Sequence, residues 1–91
     1  MFDGRHCTKA DLVLLEKETN RVLDEISHKN LAKLGYFVNF VARFDSEIAD
    51  KMSRQIMFAN GDIERIQTII NQNIDILKQC VVVDMYEHQR N

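Results

Sequence analysis

The chain contains no proline and no tryptophan, and it has only three glycines and two cysteines among 91 residues. Because a proline inside a helix kinks or ends it, this absence leaves long helices uninterrupted. The longest apolar stretch, 36–44, is broken by polar residues and is far shorter than the roughly 20 residues of a membrane-spanning helix. Residues 1–7 lack the apolar core and cleavage site of a signal peptide. We expect a cytoplasmic, intracellular protein without membrane insertion.

The two cysteines give no sign of a metal site or a redox motif. Cys7 and Cys80 are separated by most of the chain and match no known ligand spacing. His6 beside Cys7 adds a second ligand type, but two ligands do not make a structural zinc site. We therefore expect reduced thiols, no metal and no cofactor, although a helical hairpin could bring the two cysteines near each other.

The charges are nearly balanced and are scattered along the sequence. Twelve basic and 14 acidic residues give a net charge of −2, and the basic side chains have acidic neighbours. A protein that binds the phosphate backbone of a nucleic acid concentrates its basic residues on one face. The sequence therefore predicts no nucleic-acid binding.

No group of side chains is arranged for catalysis. An enzyme needs an acid, a base or a nucleophile placed together in a cleft. The histidines His6, His28 and His88 lie far apart at no converging spacing, and the carboxylates alternate with basic residues. We expect that the protein is not an enzyme.

Apolar residues are abundant and repeat every three or four positions, the pattern of helices that lie against other helices. We call this repeat the heptad seam. Thr8 followed by Asp11 resembles a capping box, so a first helix is predicted over 8–34, after a loose arm at 1–7. Its seam has steps of three and four: Leu12, Leu15, Thr19, Val22 and Ile26.

A second helix is predicted over 36–80, after Gly35, which suits the left-handed end of the first helix. Extra four-residue steps in its seam unwind a regular two-stranded coiled coil and favour a bundle. The residues Asn-Gly-Asp at 60–62 favour a turn, yet the seam keeps its period across them, so the sequence allows a continuous helix or a break there. The seam comprises Phe37, Val41, Phe44, Ile48, Met52, Ile56, Ala59, Ile63, Ile66, Ile70, Ile74, Leu77 and Val81.

The end of the chain departs from this pattern. Val81, Val82 and Val83 are β-branched, and the residues that follow are polar. We expect a frayed tail at 84–91, with a short strand or a docking segment at the valines as the alternative.

These patterns predict one domain, 1–91, with an all-α fold of two long amphipathic helices, or three. The helices would form a helical hairpin or a coiled-coil bundle that is completed by oligomerisation. A single helix over 8–80 would be roughly 110 Å long and would have no partner within the chain. A chain of this length also buries only about 60 to 65% of its unfolded surface, so a partner is expected to add stability.

Aromatic residues are concentrated in 36–44, and they cover an arc wider than one neighbouring helix can bury. They form either the core of a bundle or a contact with a different protein. The segment 38–44, followed by Ile48 and Met52, resembles the small coiled-coil subunits of the WASH and SCAR/WAVE actin-regulatory complexes, the CCDC-type and BRICK families. The resemblance covers about a quarter of the chain, and it departs from the families at Arg54 and Gln55. It implies a scaffold subunit of a multiprotein complex.

We predict a helical interaction subunit of a multiprotein complex, with protein partners in a hetero-oligomer or, alternatively, with copies of itself. A small chaperone or sequestering regulator that covers an apolar helix of a client is the other hypothesis. The predicted interface consists of the seam residues and their neighbour in the aromatic segment: Leu12, Leu15, Val22, Ile26, Phe37, Phe40, Val41, Phe44, Ile48, Met52, Ile56, Ile63, Ile66, Ile70 and Leu77.

Overall fold

The computed structural model describes residues 7–89, and this part of the chain is helical without any strand. The all-α prediction is confirmed, but the prediction of two or three long helices is wrong. Besides the turn after the first helix, the chain folds back on itself at two corners, 43–45 and 59–62. The three- and four-residue spacing of the seam continues unchanged across both. The elements are α1 (Lys9–Ser27), α2 (Leu34–Ala42), α3 (Ser46–Phe58) and α4 (Ile63–Gln89).

The helices form an antiparallel ring in which each packs against the next in sequence and α4 packs against α1. At one end the backbone N–H of Cys7, just before α1, donates to Asp84 Oδ2 near the end of α4, at 2.7 Å. Farther along, Lys78 Nζ lies 3.9 Å from Glu16 Oε1, so α1 and α4 run in opposite directions. The molecule measures 45 × 21 × 18 Å, because α4 alone is about 40 Å long.

Polar contacts also fix how α2 and α3 lie on the longer helices. Lys33 Nζ, just before α2, is 3.3 Å from Glu25 Oε1 in the last turns of α1. The buried Asn73 of α4 donates from Nδ2 to Gln55 Oε1 of α3 at 2.8 Å and to the carbonyl of Ile69 at 2.8 Å. A buried amide without partners would be costly, so this pair fixes the register of α3 on α4.

The start of α1 is capped as the sequence predicts. Thr8 Oγ1 accepts from the Asp11 N–H at 3.3 Å, and Asp11 Oδ2 accepts from the Thr8 N–H at 2.8 Å, which completes a capping box. Of the predicted loose arm, residues 1–6 lie outside the described residues. Cys7 is buried rather than loose.

The first helix ends seven residues earlier than the predicted boundary at residue 34, and Gly35 is not its cap. Lys29 takes the left-handed conformation with φ of 64°, and its N–H donates to the Ile26 carbonyl while the Asn30 N–H donates to the Glu25 carbonyl. These are the two hydrogen bonds of a Schellman motif, here with lysine where glycine is usual. Gly35 lies inside α2.

The predicted second helix, 36–80, is divided into three. The first corner follows α2 and ends at Asp45, whose Oδ1 accepts from the N–H groups of Glu47 and Ile48 and caps α3. The sequence offered this signal, an aspartate two residues before a glutamate. It was missed because Phe44 and Ile48 keep four-residue spacing across the corner.

The second corner lies at 59–62, where the sequence allowed a break. Asn60 and Gly61 both have positive φ, 55° and 81°, which ends α3. Asp62 Oδ1 accepts from the Arg65 N–H at 3.3 Å and caps α4. Beyond it, α4 continues through the valines to Gln89, so the predicted frayed tail is helical up to that residue and the valines do not form a strand.

Candidate interaction surface

The predicted interface residues all lie inside the chain's own bundle. Ten are buried: Leu15, Val22, Ile26, Phe37, Val41, Phe44, Met52, Ile66, Ile70 and Leu77. Five more are partly buried and pack against them: Leu12, Phe40, Ile48, Ile56 and Ile63. In this fold the four helices cover most of the seam for one another, so a partner reaches the ten buried side chains only if the bundle opens. Their contact with another chain stays a prediction.

The aromatic segment contributes to the same core. The rings of Phe37 and Phe40 have centroids 6.3 Å apart, and those of Phe40 and Phe44 are 5.3 Å apart in an edge-to-face arrangement. Such pairs add to the burial of apolar area. Tyr36, by contrast, is 76% exposed.

A second heptad repeat lies on the outside of α4, and the sequence reasoning did not identify it. Its residues follow steps of three, four, three, four and three: Ile69, Gln72, Ile76, Gln79, Val83 and Tyr86. We call this set the outer stripe. The buried set on the opposite side of α4 we call the inner seam: Ile66, Ile70, Ile74, Leu77 and Val81.

The outer stripe is uncharged, and it is open to solvent from Gln72 onward, whereas Ile69 is buried and belongs to the core. Ile76, Val83 and Tyr86 are 45%, 54% and 64% exposed, which is unusual for three large apolar or aromatic side chains aligned along one helix. A shallow groove of about 410 Å³ follows them and is lined by the stripe residues Ile76, Gln79 and Val83 together with Cys80, Asp84 and Glu87. Single apolar residues scattered on a surface are ordinary, whereas an aligned set makes this face the candidate for an interaction surface.

The stripe continues onto the end of α3. A groove of about 340 Å³ joins Phe58 to Ile69 and Gln72, with Arg65 at its rim. Phe58 is 83% exposed, and the neighbouring Met57 is also exposed. The exposed aromatic ring of α3 therefore extends the same face of the molecule.

Two other clefts have a different character. A cleft of about 260 Å³ between α1 and α2 is lined by the ion pair of Glu25 with Lys33, and Glu25 Oε2 is buried without a hydrogen-bond partner. A cleft of about 450 Å³ at the corner before α3 is lined by both cysteines, the buried Cys7 and the exposed Cys80. Folding thus brings the two thiols to one cleft, as a helical hairpin allowed.

The histidine, cysteine and carboxylate side chains within residues 7–89 form no metal cluster. The ring of His28 is bonded to the Asp24 carbonyl at 2.8 Å, at the exposed end of α1. His6 and the side chain of His88 lie outside the described residues.

Among the described residues, no helix combines the length and the apolar character needed to cross a membrane.

Comparison with known proteins identifies no relative of this chain. No family model matches the chain, and the comparisons with curated proteins and with solved structures found no similar protein.

Proposed function

We propose that this chain is a non-enzymatic helical subunit that binds a helix of another protein chain through the outer stripe of α4. The observation that supports this function is the exposed, uncharged heptad repeat along the longest helix. Steps of three and four residues keep one face of a helix against a partner helix as the two wind around each other. An isolated apolar residue would not need this spacing.

The four-helix ring makes α4 a rigid platform for this contact. Its inner seam is held by α1 and α3, so the outer stripe is displayed without any need to order a flexible segment on binding. Binding to a preorganised surface avoids part of the conformational entropy that association otherwise costs. Residues 72–86 span about 21 Å along the helix axis, enough for four turns of a partner helix.

Assembly into a larger helical complex is the use of this surface that we favour, and the resemblance to the small subunits of actin-regulatory complexes implies the same use. In this proposal the seam residues within 38–44 support the bundle, and the outer stripe makes the contact. A chaperone that covers a client helix would use the same surface but would be absent from the final assembly.

Site-specific photocrosslinking in cells tests the proposal. A photoreactive residue replaces Gln79 in the stripe or, as a matched control, the exposed Asn71 on another side of α4. We expect a discrete protein adduct from position 79, no such adduct from position 71, and loss of the position 79 adduct when Ile76→Asp is added. Equal adducts from both positions, or an adduct that Ile76→Asp does not change, would contradict the proposal.

A further inference from the structure

We infer that Cys7 and Cys80 form a reversible disulfide within one chain when the protein meets a peroxide, and that this bond fastens the start of α1 to α4. The inference goes beyond the proposed function and does not rest on it. It is carried by the cleft that the two cysteines share, by the hydrogen bond that holds Cys7 against α4, and by the different exposure of the two side chains.

The contact between Cys7 and α4 brings the two cysteines to the same turn of that helix. The Cys7 N–H donates to Asp84 Oδ2 at 2.7 Å. Side chains of a helix point back toward its N-terminus, and positions four apart share a face, so the Asp84 carboxylate lies over the turn that begins at Cys80. The backbone of Cys7 therefore lies over this turn, which rises about 5.4 Å. A disulfide joins Cα atoms about 4.4 to 6.8 Å apart, so this placement is on the scale of that bond.

The cleft at this corner admits a small oxidant. It has a volume of about 450 Å³, and its walls include both cysteines together with Leu77 and Val81 of α4. Cys80 is exposed whereas Cys7 is buried, so a peroxide in solvent reaches the sulfur of Cys80 first. An accessible cysteine beside a second one that can resolve its oxidised form is the arrangement found in cysteines that sense oxidants.

The reaction takes place in two balanced steps, with hydrogen peroxide as the oxidant. The Cys80 sulfur attacks one oxygen of the peroxide, the O–O bond breaks, and the departing hydroxide takes the thiol proton, which gives a sulfenic acid and one water. The Cys7 sulfur then attacks the Cys80 sulfur, and the hydroxyl leaves with the Cys7 proton as a second water. The two thiols lose two electrons and two protons, and the peroxide takes up both. A dithiol reductant reverses the bond by exchange.

The bond would hold the ring of helices closed. The packing of α4 against α1 closes the ring, and the disulfide would join these two elements at residues 7 and 80, far apart in sequence. A crosslink that closes such a long loop strongly restricts the unfolded chain. Oxidation would therefore disfavour every opened form in which α1 leaves α4.

The first test treats the purified, reduced full chain with hydrogen peroxide at low protein concentration. We expect a monomer in which tryptic fragments 6–9 and 79–90 are joined through their cysteines. The midpoint of thermal unfolding should rise by roughly 10 °C or more, and dithiothreitol should reverse both changes. A chain that keeps both thiols, or a disulfide between the Cys80 residues of two chains, would overturn the inference.

Single-cysteine variants separate the roles of the two thiols. Cys7→Ser should stop at the sulfenic acid of Cys80, which dimedone traps, because the resolving thiol is missing. Cys80→Ser should give no dimedone adduct under the same conditions, since Cys7 is buried. The unaltered chain should form the disulfide in preference to the adduct. Trapping at Cys80 as complete in the unaltered chain as in Cys7→Ser would show that Cys7 does not reach it and would contradict the inference.

The contact that positions Cys7 is tested by Asp84→Ala, with Asp75→Ala as the matched control, since Asp75 is an exposed aspartate of the same helix. Disulfide formation should slow about tenfold in Asp84→Ala, the change expected when one hydrogen bond to a carboxylate is lost. The control should react at the rate of the unaltered chain, and both variants should keep the helical circular dichroism. Equal rates in the two variants would show that this hydrogen bond does not hold Cys7 over Cys80.

Discussion

The two sides of α4 have nearly the same apolar spacing but opposite surroundings. The inner seam is sealed by α1 and α3, and its members are 0 to 3% exposed. The outer stripe carries Ile76 and Val83 at about half exposure, with Gln79 between them. Spacing alone makes both sides suitable for a neighbouring helix. Composition decides which side the chain covers for itself, because the side with more aliphatic area gains more when it is removed from water.

The comparison also separates stability from association. A residue of the inner seam contributes to folding at any protein concentration. Ile76 and Val83 in the outer stripe keep about half of their surface exposed, so they contribute less to folding than the inner seam does, and only a partner would cover the rest. Matched substitutions on the two sides should therefore have different consequences, and the following predictions are ordered from the largest expected effect to the smallest.

The largest difference is expected between two isoleucines of α4 that are two residues apart. Ile74→Ala should lower the free energy of unfolding by about 2 to 5 kcal/mol, because it removes a fully buried side chain and leaves a cavity. Ile76→Ala should change it by less than about 0.5 kcal/mol, since surface substitutions have small effects. Urea unfolding followed by circular dichroism at low protein concentration measures both. Equal losses would show that the two sides do not differ in burial.

A smaller effect is expected for the polar residue on the buried side. Asn73→Ala should lower the free energy of unfolding by about 1 to 3 kcal/mol, because it removes the hydrogen bonds to Gln55 and to the Ile69 carbonyl. The exposed Asn71 serves as the control, and Asn71→Ala should be close to neutral. If both variants unfold alike, the buried amide does not hold α3 on α4.

The smallest effects are expected at two glycines that test how the chain turns to cover the inner seam. Gly61→Ala should cost about 1 kcal/mol, because Gly61 has φ of 81° and a left-handed conformation strains residues with a Cβ. Gly35→Ala, inside α2 with open space around the added carbon, should stabilise the chain by about 0.4 to 1 kcal/mol. Thermal unfolding distinguishes the opposite signs. A stabilising Gly61→Ala would indicate that α3 and α4 join into one helix at this corner.

Much of the local structure could be predicted from residue types. The capping box at Thr8 was identified from its spacing and is present, and of the two alternatives left open at 60–62 the chain takes the break. The corner at Asp45 was missed for a physical reason. When a helix turns back on itself and presents the same side to the core, the apolar residues before and after the corner keep the spacing of an unbroken helix. Periodicity reports which side is buried and does not report the direction of the chain.

The candidate surface could not be predicted from periodicity either. The outer stripe can be read as a second repeat along 69–86, but nothing in the repeat says that it is exposed. That depends on which side of α4 the other helices take. Both α1 and α3 pack against the inner seam, so Ile76, Val83 and Tyr86 on the opposite side stay exposed.

The sequence by itself determined that this protein is helical, where α1 begins and which residues avoid water, because caps and apolar spacing act over one or two turns. Only the tertiary structure decided what covers those residues. Closure of the ring by α4 against α1 joins parts of the chain that are far apart in sequence, and local preferences carry no information about such contacts. That closure covers the inner seam within one chain and leaves the outer stripe exposed from Gln72 to Tyr86.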